Sequence, residues 1–394
     1  MTKKRLKYID TARGIAIILV VLGHLEIPEI LHTYIYSFHV PLFFVISGML
    51  LALKKEVSVS DNESSNLKAL TIKTAKGLLI PYFWFSLIYI PIDIMNLYIQ
   101  NVDMHTFIQN ILDSLTFSGV SVMWFLPALF IGEITTIVII QLISKNINLF
   151  GTNSSETEDF KSSAIKYLII FAISVAISIL TFGIWSKIRP IYEENSVSFV
   201  WATALGFIRT ILRGMCMSVH VVTGFVVYNV IEYLEDKLKV KKPELEFKGL
   251  SLAAGVILFV LNLGICLKNG AVDNHFMILN NYNYYYICAL FGSMGIILIC
   301  KGFNSIPHID FLGKNSLIIM ATHLQCYILY AGILIAIAID AHVTRAKSYV
   351  YMFNSVLFTM FFELIVIVVI NKFFPFITGK GSIKDLFTKS PKNE

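Results

Sequence analysis

Apolar runs of about twenty residues recur along this chain, and no other feature limits its fold so strongly. They fall at roughly 13–31, 34–53, 78–99, 123–143, 165–185, 217–234, 250–267, 284–300, 316–339 and 349–371. One helix of that length crosses the ~30 Å hydrocarbon core of a bilayer with its backbone N–H and C=O groups paired internally. The expectation is an all-α, polytopic integral membrane protein of about ten transmembrane helices. Composition agrees, with 56% of the residues hydrophobic and 15% charged.

Orientation follows from lysine and arginine, which favour the cytoplasmic side. With the N-terminus inside, 25 of the 32 basic residues fall in inner segments and seven in outer ones. That asymmetry predicts ten spans with both termini cytoplasmic. It also accounts for the net charge of +6 without nucleic acid as a partner. The basic N-terminus, Lys3-Lys4-Arg5-Leu6-Lys7, mimics a secretory signal, but no small-residue cleavage site follows. We read an uncleaved first span. Residues 1–394 read as a single transmembrane domain, with polar cytoplasmic loops near 54–77 and 144–164 and a basic tail at 372–394. Stretch 199–213 is apolar but carries Arg209 and Arg213. It reads as an interfacial helix, part of a bent sixth span or a lid. The five cysteines are scattered, with no CxxC and no metal-type spacing, so no metal site is expected.

Within the first span, Arg13 and His24 are eleven residues apart. At ~100° per residue they share one stripe of a helix, separated by about 16 Å along its axis. Ionisable groups in a span are costly and usually face a bundle interior or a cavity. Arg13 is therefore either a cytoplasmic anchor or part of a site, and His24 either a hydrogen-bonded core residue or a base set into the bilayer. Asp10 lies three residues before Arg13 on the same face, placed to orient it. His39 lies near the outer end of the second span, and Lys73 and Lys76 share a face at the inner end of the third. Trp124 marks the outer end of the fourth, and Trp185, Trp201 and Tyr284-Tyr285-Tyr286 fall near the outer ends of other spans. These aromatics fit either sugar stacking or an interfacial belt. Glu133, Glu363 and His220 lie within spans, and His323 lies in the ninth.

Several stretches, in order over nearly the full chain, resemble the membrane-bound acyltransferase-3 family. They are Tyr8-Ile9-Asp10-Thr11-Ala12-Arg13-Gly14-Ile15-Ala16 with His24, Phe38-His39-Val40-Pro41-Leu42-Phe43-Phe44-Val45-Ile46-Ser47-Gly48, Lys73 to Tyr82, Trp124-Phe125-Leu126, and Gly313-Lys314-Asn315-Ser316 with His323. The short, single-module form looks most like the fucose 4-O-acetylase-type branch. One departure stands out: relatives commonly carry arginines where this chain has Lys73 and Lys76, and lysine lacks the bidentate fork that grips phosphate.

The resemblance implies a cell-membrane enzyme that moves an acetyl group from cytosolic acetyl-CoA to a sugar hydroxyl of a surface polysaccharide or glycan precursor. Acetyl-CoA is then a substrate, and no bound cofactor is implied. Arg13, Lys73 and Lys76 are the expected donor-binding residues, with His24 and then His323 the expected catalytic ones. Asp10, His39, Trp124 and Glu133 are expected to support them. His24 acts either as a base for direct attack or as a carrier of the acyl group. The partners implied are acetyl-CoA, a carbohydrate acceptor and membrane lipid; a homo-oligomer is compatible with the sequence. The rival class is a transporter or flippase without covalent chemistry, with Glu133, Glu363 and His220 on its path.

Overall fold

The computed structural model describes residues 6–53, 63–147, 156–194, 198–241, 247–339 and 348–380. Parts of the two expected polar loops (54–62 and 148–155) and most of the basic tail (381–394) lie outside the described residues. The described chain is all-helical, with no strand and one isolated bridge between Asp273 and Ile278.

In chain order the helices are α1 (Lys7–Gly23), α2 (Glu29–Tyr36), α3 (His39–Leu53), α4 (Glu63–Ile99), α5 (Met104–Leu115), α6 (Phe125–Ile147) and α7 (Glu156–Glu194). They continue with α8 (Phe199–Lys241), α9 (Phe247–Asn269), α10 (Tyr282–Phe303), α11 (Pro307–Lys314), α12 (Ser316–Thr322), α13 (Ile328–Ile339) and α14 (Tyr349–Phe373). A short 3-10 turn, Ser121–Trp124, leads into α6. Among the described residues, eight helical segments are long and apolar enough to cross a membrane.

The other two expected spans are broken, and both breaks have local causes. The run expected over 13–31 stops being helical after Gly23. His24 closes α1 with its N–H on the Val21 carbonyl, 3.2 Å away. Pro28, which has no N–H and disfavours helix in the residue before it, then sets the chain up to restart at Glu29. The second span accordingly begins at Glu29 rather than near 34 and runs to Leu53 through a tight joint at Ser37–Phe38. The run over 316–339 is split between α12 and α13, with Tyr327 at a left-handed φ of 61° in the joint.

The sixth span is longer than expected. Stretch 199–213 belongs to α8, which continues without interruption for 43 residues. At ~1.5 Å per residue it is about 65 Å long, twice the hydrocarbon core. It is therefore neither a separate interfacial helix nor a lid.

Two close helix crossings set the frame around the site. Where α3 crosses α8, a Cβ placed on Gly48 would sit 1.8 Å from the Val221 carbonyl oxygen, and one on Gly224 would sit 1.9 Å from that of Val45. Where α1 crosses α11, a Cβ on Gly313 would sit 1.8 Å from the Asp10 carbonyl oxygen. Only glycine lets backbones pack this closely, as is common between membrane helices. The second crossing also carries a buried polar clasp. Thr11 Oγ1 donates to one Asp310 oxygen, and Ser305 Oγ donates to the other at 2.5 Å.

Candidate active site

Arg13, Val20 and His24 form one stripe of α1 and line a cavity of about 440 Å³. The intervals of seven and four residues return to the same helix face, as the spacing of Arg13 and His24 predicts. At one end of the stripe, Arg13 Nη2 donates to Ser316 Oγ of α12 at 3.1 Å. At the other end His24, freed from the helix by the break after Gly23, is exposed and lines the cavity.

The rest of the wall comes from several helices. Ser47 of α3 and Glu133 of α6 line it, and Ser47 Oγ donates to Glu133. Thr74 of α4 also donates to Glu133, at 3.2 Å. Phe43, Ile46, Leu126, Leu129, Leu317 and Met320 give much of the lining an apolar character. His39, Tyr36, Trp124 and the turn Asp273-Asn274-His275 complete it. His39 is buried, with Nδ1 2.8 Å from the Ile35 carbonyl oxygen. A carbonyl only accepts, so Nδ1 carries the hydrogen and Nε2 the lone pair.

His323 closes α12 beside His24, with the ring centroids 5.3 Å apart. It is fully buried and stands outside the cavity lining. Its Nδ1 lies 2.8 Å from the Ile319 carbonyl, and its Nε2 has no hydrogen-bond partner. The preceding residue, Thr322, binds the buried Glu363 carboxyl group at 2.8 and 2.9 Å. His323 is thus held rigidly at the back of His24.

The structure brings together Arg13, His24, His39, Trp124 and Glu133 on one cavity, with His323 directly behind it. Lys73 and Lys76 are exposed on α4 and outside the lining. Asp10 is buried on α1, with its backbone against Gly313. Three of the aromatics with belt positions, Trp124, Trp185 and Tyr285, are internal. Trp185 is fully buried and donates to the Phe276 carbonyl at 2.7 Å, and Trp124 is buried against Arg213 and His275. Trp201, 53% exposed, keeps a surface position. His220 is buried against Tyr286, away from the cavity. Among the described residues, no group of three His, Cys, Asp or Glu side chains could hold a metal ion.

Sequence reasoning did not single out Tyr36, Ser47, Ser316 or the turn 273–275. Ser47 and Ser316 lie inside motif stretches, which was the available signal; their places beside Glu133 and Arg13 are set by the tertiary fold. The turn carried one too: three consecutive polar residues in the short link between two spans.

An all-helical membrane protein with a cationic group and an accessible imidazole on one half-open cavity has the parts for group transfer. The profile of the acyltransferase domain family matches residues 6–377, nearly the whole chain. The chain belongs to that acyltransferase-3 family and is a membrane acyltransferase. Among curated proteins and among solved structures, none matches it significantly.

Proposed function

We propose that this protein is an O-acetyltransferase of the cell membrane, with acetyl-CoA as its cytosolic donor and a sugar hydroxyl of a surface polysaccharide or glycan precursor as its acceptor. The observation that carries this reading is the cavity itself, with Arg13 and an exposed His24 on the same stripe about 16 Å apart. The basic-residue asymmetry supports a cytoplasmic Arg13 end and cytoplasmic termini.

In this reading Arg13 meets the donor phosphates at the cavity wall, and Lys73 and Lys76 add positive charge on the approach. The apolar lining receives the pantetheine arm, so that the thioester reaches His24. The acceptor hydroxyl attacks the thioester carbonyl and His24 takes its proton. The new C–O bond forms as the C–S bond breaks, and the departing thiolate receives the proton from His24 to leave as free CoA. The His323 ring backs this imidazole at 5.3 Å, and His39 lines the same cavity. Of the two candidate catalytic histidines, only His24 lines the cavity.

The test uses membranes containing the protein and acetyl-CoA labelled in its acetyl group. Label is expected to appear on glycan and to be released by mild base, as an O-ester is. Label-free glycan with intact donor would point instead to transport without covalent chemistry.

A further inference from the structure

The turn 273–275 is held from several sides. Asp273 and Ile278 exchange backbone hydrogen bonds, both 2.8 Å. Asp273 Oδ1 accepts the N–H groups of His275 at 2.7 Å and Phe276 at 3.1 Å. Tyr285 Oη donates to Asn274 Oδ1 at 2.6 Å. From α8, Arg213 Nη1 donates to the His275 carbonyl at 2.8 Å.

Arg213 is fully buried, and its other hydrogen bonds go to the carbonyls of Ser118 and Trp124 and to Thr210. Its guanidinium also lies 4.6 Å from the Trp124 ring centre. Placing a cation where its main partners are backbone carbonyls is expensive. The arrangement is intelligible if the position of the turn matters.

That position is tied to His24. Asn274 Nδ2 donates to the Tyr36 carbonyl at 3.3 Å, and Tyr36 Oη donates to the carbonyl of Gly23, the residue before His24, also at 3.3 Å. The turn and His24 line the same cavity. Three buried polar atoms of this network, Arg213 Nε, Ser118 Oγ and His275 Nε2, lack a hydrogen-bond partner, and of these residues His275 is the one that lines the cavity. Its ring stacks on Trp124 at 5.3 Å, yet its Nε2 has no hydrogen-bond partner. A buried polar atom left unpaired beside a cavity calls for a ligand group.

We propose that His275 is a specificity-determining residue that binds a hydroxyl group of the acceptor through Nε2, and that Arg213 is its positioning residue. A hydroxyl both donates and accepts, so it satisfies Nε2 in either tautomer. Carboxylates and phosphates only accept, so they serve Nε2 in one tautomer alone, and purely apolar molecules would leave the nitrogen unpaired. The chemistry therefore favours a hydroxyl-bearing acceptor, and a sugar held by one hydroxyl at Nε2 has others to present to His24. This inference rests on the proposed acetyl transfer to a sugar.

The test uses the purified full chain in lipid nanodiscs, with methyl glycosides of glucose, fucose and N-acetylglucosamine as probes. Binding is read by saturation-transfer NMR and acetylation by labelled acetyl-CoA. At least one glycoside is expected to bind, with affinity falling about tenfold in His275→Ala and less in His275→Gln. Arg213→Lys, which cannot reproduce the planar fork, is expected to raise the acceptor KM with a smaller change in kcat. Protection of the fold by acetyl-CoA is expected to persist in each variant. If Arg213→Lys fails to fold, the two His275 variants decide. Absence of glycoside binding to the parent chain, or unchanged affinity in His275→Ala, overturns the inference. Glycosides bound through His275 but never acetylated would instead refute the acetyltransferase reading. Acetylation with an unchanged acceptor KM in His275→Ala would preserve that reading and remove His275 from it.

Discussion

Replacing Gly48 by alanine tests the frame that carries the site. The added Cβ would lie 1.8 Å from the Val221 carbonyl oxygen and 2.8 Å from the Phe225 nitrogen. Both are backbone atoms, so no side chain can swing aside. Real Cβ contacts essentially never fall below 3.0 Å, so α3 and α8 must separate locally by about 1.2 Å. A gap of that size forfeits roughly half of each affected dispersion contact, and overpacking a close interface typically costs about 1–3 kcal/mol. Ser47, next in the chain, would also shift from Glu133. Gly77 in α4 supplies the control, because a Cβ there meets nothing within 4 Å. In a helix interior, Gly→Ala without a clash is favourable by up to about 1 kcal/mol. The assay is the fraction of detergent-solubilised protein that remains monodisperse after heating, followed by size-exclusion chromatography. Gly48→Ala is expected to lose monodispersity several degrees below the parent, and Gly77→Ala at or slightly above it. Equal behaviour of the two variants would refute the reasoning.

Other consequences follow from the same geometry. Arg13→Ala is expected to weaken acetyl-CoA binding about 10- to 100-fold, the scale of a lost charge-assisted hydrogen bond. The exposed Lys73 and Lys76 are expected to contribute about threefold or less each. A thermal-shift titration with acetyl-CoA checks that order, and a larger loss at either lysine would reverse it. Glu363→Gln keeps a partner for Thr322 and is expected to stay within about 1 kcal/mol of the parent. Glu363→Ala is expected to cost about 2–4 kcal/mol through the lost partner and the cavity left behind, measured as a shift in thermal midpoint. Burial, with the Arg213 and Arg209 guanidiniums nearby, pushes the His275 imidazole down to about 2. Its usual value is near 6.5, so the folded state resists a proton that the unfolded chain accepts. The stability tied to neutral His275 is therefore present above about pH 6.5 and declines as pH falls below it. His275→Gln is expected to lose less thermal stability than the parent between about pH 7.5 and 5.5.

Much of the site was legible because helix geometry is local. An eleven-residue interval places Arg13 and His24 on one face whatever surrounds them, and the structure puts both on the cavity. The motif glycines Gly14, Gly48 and Gly313 were visible as well, though their close contacts with the backbones of other helices were not. Hydropathy concealed the breaks at 24–28 and 323–327, because a run remains apolar when its backbone leaves the helix. Pro28 was the local warning for the first. Conversely, Arg209 and Arg213 made α8 read as interrupted. Their burial depends on distant aromatics, Tyr192 and Phe276 for Arg209 and Trp124 for Arg213. The His275 wall was hidden for the same reason. Its placement depends on contacts from α8, α10 and the end of α2, which no local pattern encodes.

The central claim is that the His24 imidazole carries out acyl transfer in this cavity. The direct measurement is the rate of labelled acetyl transfer by purified His24→Ala, compared with the parent, after confirming that acetyl-CoA still raises its thermal midpoint. Loss of a general base predicts a fall of at least about 100-fold with donor binding retained. Transfer within about twofold of the parent would contradict the account.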